Sequence, residues 1–500
     1  MPLGATHAVE AVCGNRQRHC APYAWRVYIY NDQSGPMSRL FWLKRHAEPT
    51  SRHGDLVLIR KWLCWATACL MALLLASSAA LAASPVATAA VTPDDMLRGW
   101  YKLSLSLVRH TPTFAPPVSS RSFAYLGVTA YEAVASGSPG LQSLAGQLND
   151  LQPVPKREAG KPYAEAVVMQ AAMAFAAHQL FNNTGPTGQH AMTALERELR
   201  DSVAAGIPPQ VFARSAAHGE AVARHILAWA QGDRGAVVEN MGFPLNYKSP
   251  AGAAHWVPTN AIRLQQFPLL PDWGKNRTFA MPGTAVCDLP PPPDFSQDKG
   301  SDFYKQALEV YEVKQNLTPD QRDIARFWSD DAMLTVTPPG HWIAIALQIM
   351  DRDKVGLEKT VDVLARLGIA QADAFIGCWR AKYQYDLLRP LTYIRRNIDP
   401  NWEALLNTPP FPEYPSGHST QSGAAAAVMT RLFGENFAFT DATGRADGLA
   451  PRSFANFAAA ANEISLSRLY GGIHFRAAIE SGLEQGRCIA TFALALRTRK

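Results

Sequence analysis

The stretch Phe411-Pro412-Glu413-Tyr414-Pro415-Ser416-Gly417-His418-Ser419, followed by the helix-forming run from Gln421 to Phe433, decides how the rest of the chain is read. Pro415 stops an extended approach, Ser416 carries an N-cap side chain, Gly417 lets backbone come close to a ligand, and a helix follows. Such a start turns free N–H groups and the positive end of a helix dipole toward an anion, with His418 placed for proton transfer. Alone, the same segment equally describes a capped surface helix with an incidental histidine.

Two flanking segments remove that ambiguity. Upstream lies Trp379-Arg-Ala-Lys382-Tyr-Gln-Tyr-Asp386-Leu-Leu-Arg389-Pro390. On a continuous helix Lys382 and Arg389 share one face, about 10.5 Å apart along the axis, with Trp379 just before the lysine on that face. Pro390 is expected to end or kink that helix. By itself this segment is a solvated basic stripe as readily as half of an anion clamp. Downstream lies Ser467-Arg468-Leu-Tyr-Gly471-Gly472-Ile-His474-Phe475. Here the glycine pair is expected to break the helix and let Arg468 and His474 reach one point, where an unbroken helix would set them roughly 120° apart. Core packing and surface solvation rarely yield three cations, a Ser-Gly-His turn and a second histidine in this order.

The three segments together resemble the signature shared by type-2 phosphatidic acid phosphatases, bacterial acid phosphatases and vanadium-dependent haloperoxidases, over about Asp320 to Leu494. The resemblance implies a pocket for a tetrahedral oxyanion, phosphate or vanadate. Lys382, Arg389, Ser416, Gly417 and Arg468 would hold its oxygens, an arrangement aimed at an in-line transition state. It makes His474 the ligand of vanadium in vanadate, or the phosphoryl-accepting nucleophile of a phosphatase, and His418 the general acid–base. Trp379 and Phe411 sit where vanadium haloperoxidases carry aromatic residues beside cofactor and halide. That tilts the expectation toward a vanadate-dependent haloperoxidase using hydrogen peroxide and halide. A periplasmic phosphatase acting on a phosphomonoester through a phosphohistidine is the alternative, and a noncatalytic helical protein a third. One departure stands out: many members carry an aspartate where this chain has Ala478, and Glu480, Asp330 and Asp331 are candidates to replace it.

Working outward, helical periodicity dominates: Asp94–His110, Ser119–Ser136, Tyr163–Leu180, Gln189–Ala205 and Pro209–Gln231, then, after Thr318-Pro319-Asp320-Gln321, a helix through Asp330. Further helices are expected at His341–Asp351, Val355–Leu367, Ile369–Leu388, Ser419–Phe433, Ser453–Arg468 and Phe475–Arg497. Residues 240–301 are rich in Gly, Pro and aromatics and read as a long connection, with the aromatics near Trp256 and Trp273 as loop packing. The expected fold is all-α: two packed helical bundles, an N-terminal half at 83–290 and a C-terminal half at 291–500 that carries the site. His341 reads as a helix-start residue rather than a metal ligand.

The leader at 1–82 reads as a signal peptide. Arg60 and Lys61 precede an apolar run from Trp62 to Leu75, and Ala80-Leu81-Ala82 is a cleavage signal. The run falls short of the roughly 20 residues of a spanning helix. Its depth in the chain places the expected start downstream, at Met37, leaving 1–36 outside the product. A periplasmic or secreted location follows, with no integral membrane segment in the mature chain. Formal charge is +6, but residues 1–82 hold 9 Lys+Arg against 4 Asp+Glu, leaving 39 against 38. With no basic run interleaved with aromatics, nucleic acid is not an expected partner. Beyond the leader only Cys287, Cys378 and Cys488 remain, without metal-type spacing, and are expected as buried thiols, with at most one disulfide.

Overall fold

The computed structural model describes residues 91–260 and 263–500. The signal-peptide and start-site expectations lie outside the described residues. Thirteen α-helices and one two-stranded sheet make up the regular structure among those residues.

The helices begin where local chemistry dictates. α1 (Pro93–His110) opens on a capping box between Thr92 and Asp95, with proline in its first turn. It is followed by α2 (Pro116–Ala135), α3 (Glu165–Leu180), α4 (Pro186–Ala204) and α5 (Pro209–Gln231). From Asn240 to Ser301 the described residues form only short 3-10 turns, as the composition predicts. α6 (Asp302–Gln315), capped by Ser301, lies between that connection and α7 (Pro319–Phe327), whose Thr318–Gln321 capping box is as expected. The sequence reading missed α6 because its short apolar stripe, Phe303, Ala307 and Val310, adjoins the irregular segment. α7 ends at Phe327 rather than running through Asp330, which takes up a positive φ of 48°.

α8 (Thr337–Arg352) leads to α9 (Leu357–Tyr385), a single helix where two were expected. Gly368, which falls between the two expected spans, is a contact point: a Cβ there would stand 2.9 Å from the Phe123 carbonyl of α2. α9 ends at Tyr385, with Asp386 left-handed, so the expected continuation to Leu388 fails. The chain runs extended through Leu387, where the Asp386 carbonyl accepts from Trp256 N and Leu388 N donates to Ala254. Pro390 starts a new helix, α10 (Pro390–Asn397), instead of closing an old one.

α11 (Gly417–Phe433) is followed by β1 (Phe439–Asp441), which pairs antiparallel with β2 (Arg452–Phe454). β2 takes the first residues of the helix expected from Ser453, and α12 (Phe457–Tyr470) starts after an Asn456 cap. α13 (Arg476–Ala495) completes the chain.

α2 lies along α9, and α11 lies between α9 and α13. Gly423 allows the second of these approaches, because a Cβ there would meet the Leu483 carbonyl at 2.5 Å. The main apolar core runs unbroken from Trp100 and Tyr125 in the first helices to Val428 and Ile489 in the last. A smaller cluster of Phe303, Tyr393, Trp402 and Phe475 packs beneath the connection. Two of the three expected thiols are corrected: Cys287 and Cys488, 201 residues apart, form a disulfide that ties the connection to α13, while Cys378 is free and buried. Sequence separation of that size gives no pairing signal.

Candidate active site

The three segments converge. Lys382 closes the last turn of α9, Arg389 is the N-cap of α10, Ser416 is the N-cap of α11, Arg468 sits in the last turn of α12, and His474 lies between α12 and α13. Lys382 and Arg389 therefore do not share one helix face, as the spacing suggested. The break at Asp386 and the extended link bring them together instead. At the third segment the break is as expected: α12 stops at Tyr470 and Gly472 takes a φ of 75°.

Ser416 builds the turn into α11. Its Oγ accepts from Ser419 N at 3.3 Å, and its own N–H donates to the Ala478 carbonyl at 3.0 Å. The first N–H groups of a helix have no intrahelical acceptor and face whatever lies at its start. Ala478 thus contributes through its backbone.

Lys382, Arg389, Arg468 and His474 are all buried. Lys382 Nζ donates to the carbonyls of Pro412, Glu413 and Pro415, at 2.9, 3.0 and 2.5 Å. Its three hydrogens are thus committed to backbone, and it lends a bound anion charge rather than a hydrogen bond. Arg389 gives Nε to the Phe411 carbonyl and Nη1 to the Ile473 carbonyl, both at 2.9 Å. Its Nη2 is buried without a hydrogen-bond partner, as are Arg468 Nε and His418 Nε2. Burying such polar atoms unpaired costs on the order of 1–3 kcal/mol each, more when charged. A tetrahedral oxyanion would take the two guanidinium N–H groups, and a hydroxyl on it would meet the neutral His418 Nε2, so these residues fit phosphate or vanadate.

Electrostatics agree. Burial pushes Lys382 down to about 7, Arg389 beside it adding to the effect, and burial holds Arg389 and Arg468 near 10. Both histidines are held well below the ordinary range, first by burial, then by Arg389 and Lys382 at His474 and by Arg468 at His418. Two buried guanidinium cations, a lysine whose charge burial disfavours and two neutral imidazoles make a site short of negative charge.

The carboxylate that the signature lacks at Ala478 comes from a residue that sequence reasoning missed. Glu413 Oε1 accepts from His474 Nδ1 at 2.8 Å and from Phe475 N at 2.9 Å. None of the three candidates plays this part: Glu480 is an exposed partner of Arg476, Asp330 binds His341, and Asp331 neighbours Arg468. Glu413 was in view in the deciding stretch, between two prolines before the Ser-Gly-His turn, but only the fold shows it facing His474. Burial raises its carboxyl to about 7, against the pull of Arg389 and the Phe475 N–H. With the N–H on Nδ1, His474 Nε2 is the acceptor, and Arg389 Nη1 donates to it at 3.1 Å.

One wall is aromatic. Phe411 packs on Trp379 with centroids 5.0 Å apart, and the Arg389 guanidinium lies 4.9 Å and Lys382 Nζ 5.1 Å from the Phe411 ring. Trp379 is fully buried behind it, its Nε1 donating to the Leu269 carbonyl at 3.2 Å. Phe411 is the more exposed of the two.

The family described as the VCPO second helical-bundle domain matches residues 362–500. The vanadium chloroperoxidase of Curvularia inaequalis is 31% identical over 141 residues, an alignment spanning 23% of this chain and only 23% of that enzyme. The crystal structure of a bacterial vanadium-dependent iodoperoxidase is 37% identical, with a TM-score of 0.74 over 82% of this chain and 98% of that one. A holo-type bacterial vanadium-dependent chloroperoxidase, 16% identical, shares the fold with a TM-score of 0.60, covering 81% of this chain and 95% of its own.

Proposed function

The chain belongs to the vanadium-dependent haloperoxidase family, and we propose that it is an exported enzyme that oxidises a halide with hydrogen peroxide to hypohalous acid, with vanadate as cofactor. The observation that carries this reading is the pair of buried guanidinium donors without partners on Arg389 and Arg468, beside an unpaired His418 Nε2 and a His474 held at Nδ1 by Glu413.

Vanadate, when bound, supplies a Lewis-acid centre that activates peroxide toward halide. Arg389 Nη2, Arg468 Nε and the first N–H groups of α11 would hold its oxygens, with Lys382 adding charge. Glu413 holds His474 by Nδ1, so that Nε2 is the nitrogen that would meet vanadate. His418, neutral and with Nε2 inside the pocket, is placed to take a proton from peroxide and return it to the departing oxygen. The aromatic wall of Phe411 and Trp379 excludes water on the side where halide would approach. The Cys287–Cys488 disulfide supports export, since such bonds persist in oxidising compartments.

The same histidine geometry would serve a phosphomonoesterase, so the test runs both assays. Vanadium-free protein is assayed for dye halogenation with peroxide and iodide, bromide or chloride, before and after adding orthovanadate, alongside nitrophenyl phosphate hydrolysis. Halogenation that depends on vanadate, with slow hydrolysis, is the expected result. Fast hydrolysis that vanadate inhibits, without halogenation, would overturn it in favour of the phosphatase.

A further inference from the structure

We propose that His341, held as an imidazolium between Asp330 and Asp441, is a positioning residue that sets the placement of Arg468 and His418 through the backbone of Trp328 and Ser329.

His341 lies in the first turns of α8 and touches none of the oxyanion donors. Its Nδ1 stands 3.0 and 3.1 Å from the two carboxylate oxygens of Asp330, and its Nε2 stands 2.8 Å from Asp441 Oδ2. A neutral imidazole has one N–H, so two ring nitrogens facing two carboxylates both carry protons. All three groups are buried. Asp441 is fixed in its turn, with Oδ1 accepting from Thr443 N at 2.9 Å and from Thr443 Oγ1 at 2.7 Å. Burial alone would lower the His341 pKa, but the two carboxylates outweigh it and raise it to about 10.

The cluster ties the link after α7 to the end of β1, two segments far apart in sequence. Asp330 would otherwise have little reason to hold its positive φ. The Trp328 ring stacks on His341 with centroids 4.7 Å apart and a 31° tilt, and the Phe327 ring lies 5.8 Å away. The Trp328 carbonyl takes Arg468 Nη1 at 2.6 Å, and Arg468 Nε is buried without a partner. The next residue, Ser329, has its backbone beside His418, where it favours the protonated ring. The backbone of two consecutive residues therefore holds Arg468 and lies against His418, and His341 pins it from behind by stacking on the Trp328 ring and bridging to Asp330.

This rests on the pocket being an oxyanion site, and wild-type protein checks that separately. Vanadium-free wild type, His341→Gln and Asp441→Asn are titrated with orthovanadate by calorimetry, with thermal melts and halide KM read in parallel. Weakening of vanadate binding by about tenfold or more in both variants is expected, with halide KM within about twofold because the Phe411 wall is untouched. Wild-type affinity in a folded His341→Gln protein would overturn the proposal, whatever its melting temperature. Should that variant not fold, Asp441→Asn decides on the same criterion. Independently, nitrogen-15 spectra of labelled wild type, with the His341 ring assigned through its proximity to the Trp328 indole, should show both ring nitrogens protonated at pH 8. A bare nitrogen there would also overturn it. If wild type binds neither orthovanadate nor orthophosphate, the reading of the pocket itself has failed.

Discussion

His474 and His341 are built into the same kind of place, a buried imidazole against buried carboxylate, and they end in opposite charge states. His474 faces one carboxylate, Glu413, which it shares with the Phe475 N–H, while Arg389 stands against its other nitrogen. His341 faces a carboxylate on each nitrogen. With one acceptor and a cation opposite, the ring is neutral and keeps a directed lone pair. With two acceptors it is a fixed cation. Counting the charges around each nitrogen, rather than the degree of burial, separates a ring that can bind or react from one that holds structure.

The comparison breaks most decisively at His474. Its replacement in His474→Ala should lower turnover by about a thousandfold or more with an unchanged circular dichroism spectrum. Turnover within tenfold of wild type would deny that its Nε2 matters.

The carboxylate count is probed next at Glu413. Glu413→Leu leaves Nδ1 with no acceptor and frees the tautomer, so orthovanadate affinity should fall about 10–100-fold. Glu413→Gln, whose amide oxygen still accepts, should recover part of it. Equal affinity in all three proteins would show that the tautomer is set elsewhere.

The smallest effect is on stability against pH, and its sign differs between the two rings. His474 is depressed when folded, so its contribution is present above the ordinary histidine range and lost as pH falls through it. His341 is raised to about 10, so its contribution is full below about 6.5 and lost as pH rises toward about 10. Lys382, depressed to about 7, acts oppositely to His341 over that alkaline window, so each variant must be read against wild type. Relative to wild type, the melting temperature of His341→Gln should improve by a few degrees between pH 7 and 10, and that of His474→Ala between pH 6.5 and 5. Parallel curves would mean that neither ring holds the charge state its surroundings imply.

Much of the fold was legible because it is written locally. Thr92 with Asp95, Thr318 with Gln321, and Ser416 before Gly417 mark helix starts by hydrogen bonds that close within one turn. The helix breaks were less legible. Gly368 looks like an interruption but is a packing contact with α2, and the stop at Asp386 depends on a strand-like pairing with residues near 255. α6 was lost beside an irregular segment and α10 behind a proline read as a terminator.

What the sequence determined by itself was the inventory of the site. Lys382, Arg389, Ser416, Gly417, His418, Arg468 and His474 are offered as candidates by residue type and spacing, and so is the expectation of an anion among them. What only the tertiary structure decided was the partner of each. Glu413 for His474, Asp330 and Asp441 for His341, and Cys287 for Cys488 are joined across 61, 11, 100 and 201 residues. A short-range pattern reports which groups a segment offers. Protonation, tautomer and charge depend on which groups lie a few ångströms away, and over such separations only the packed helices fix that distance.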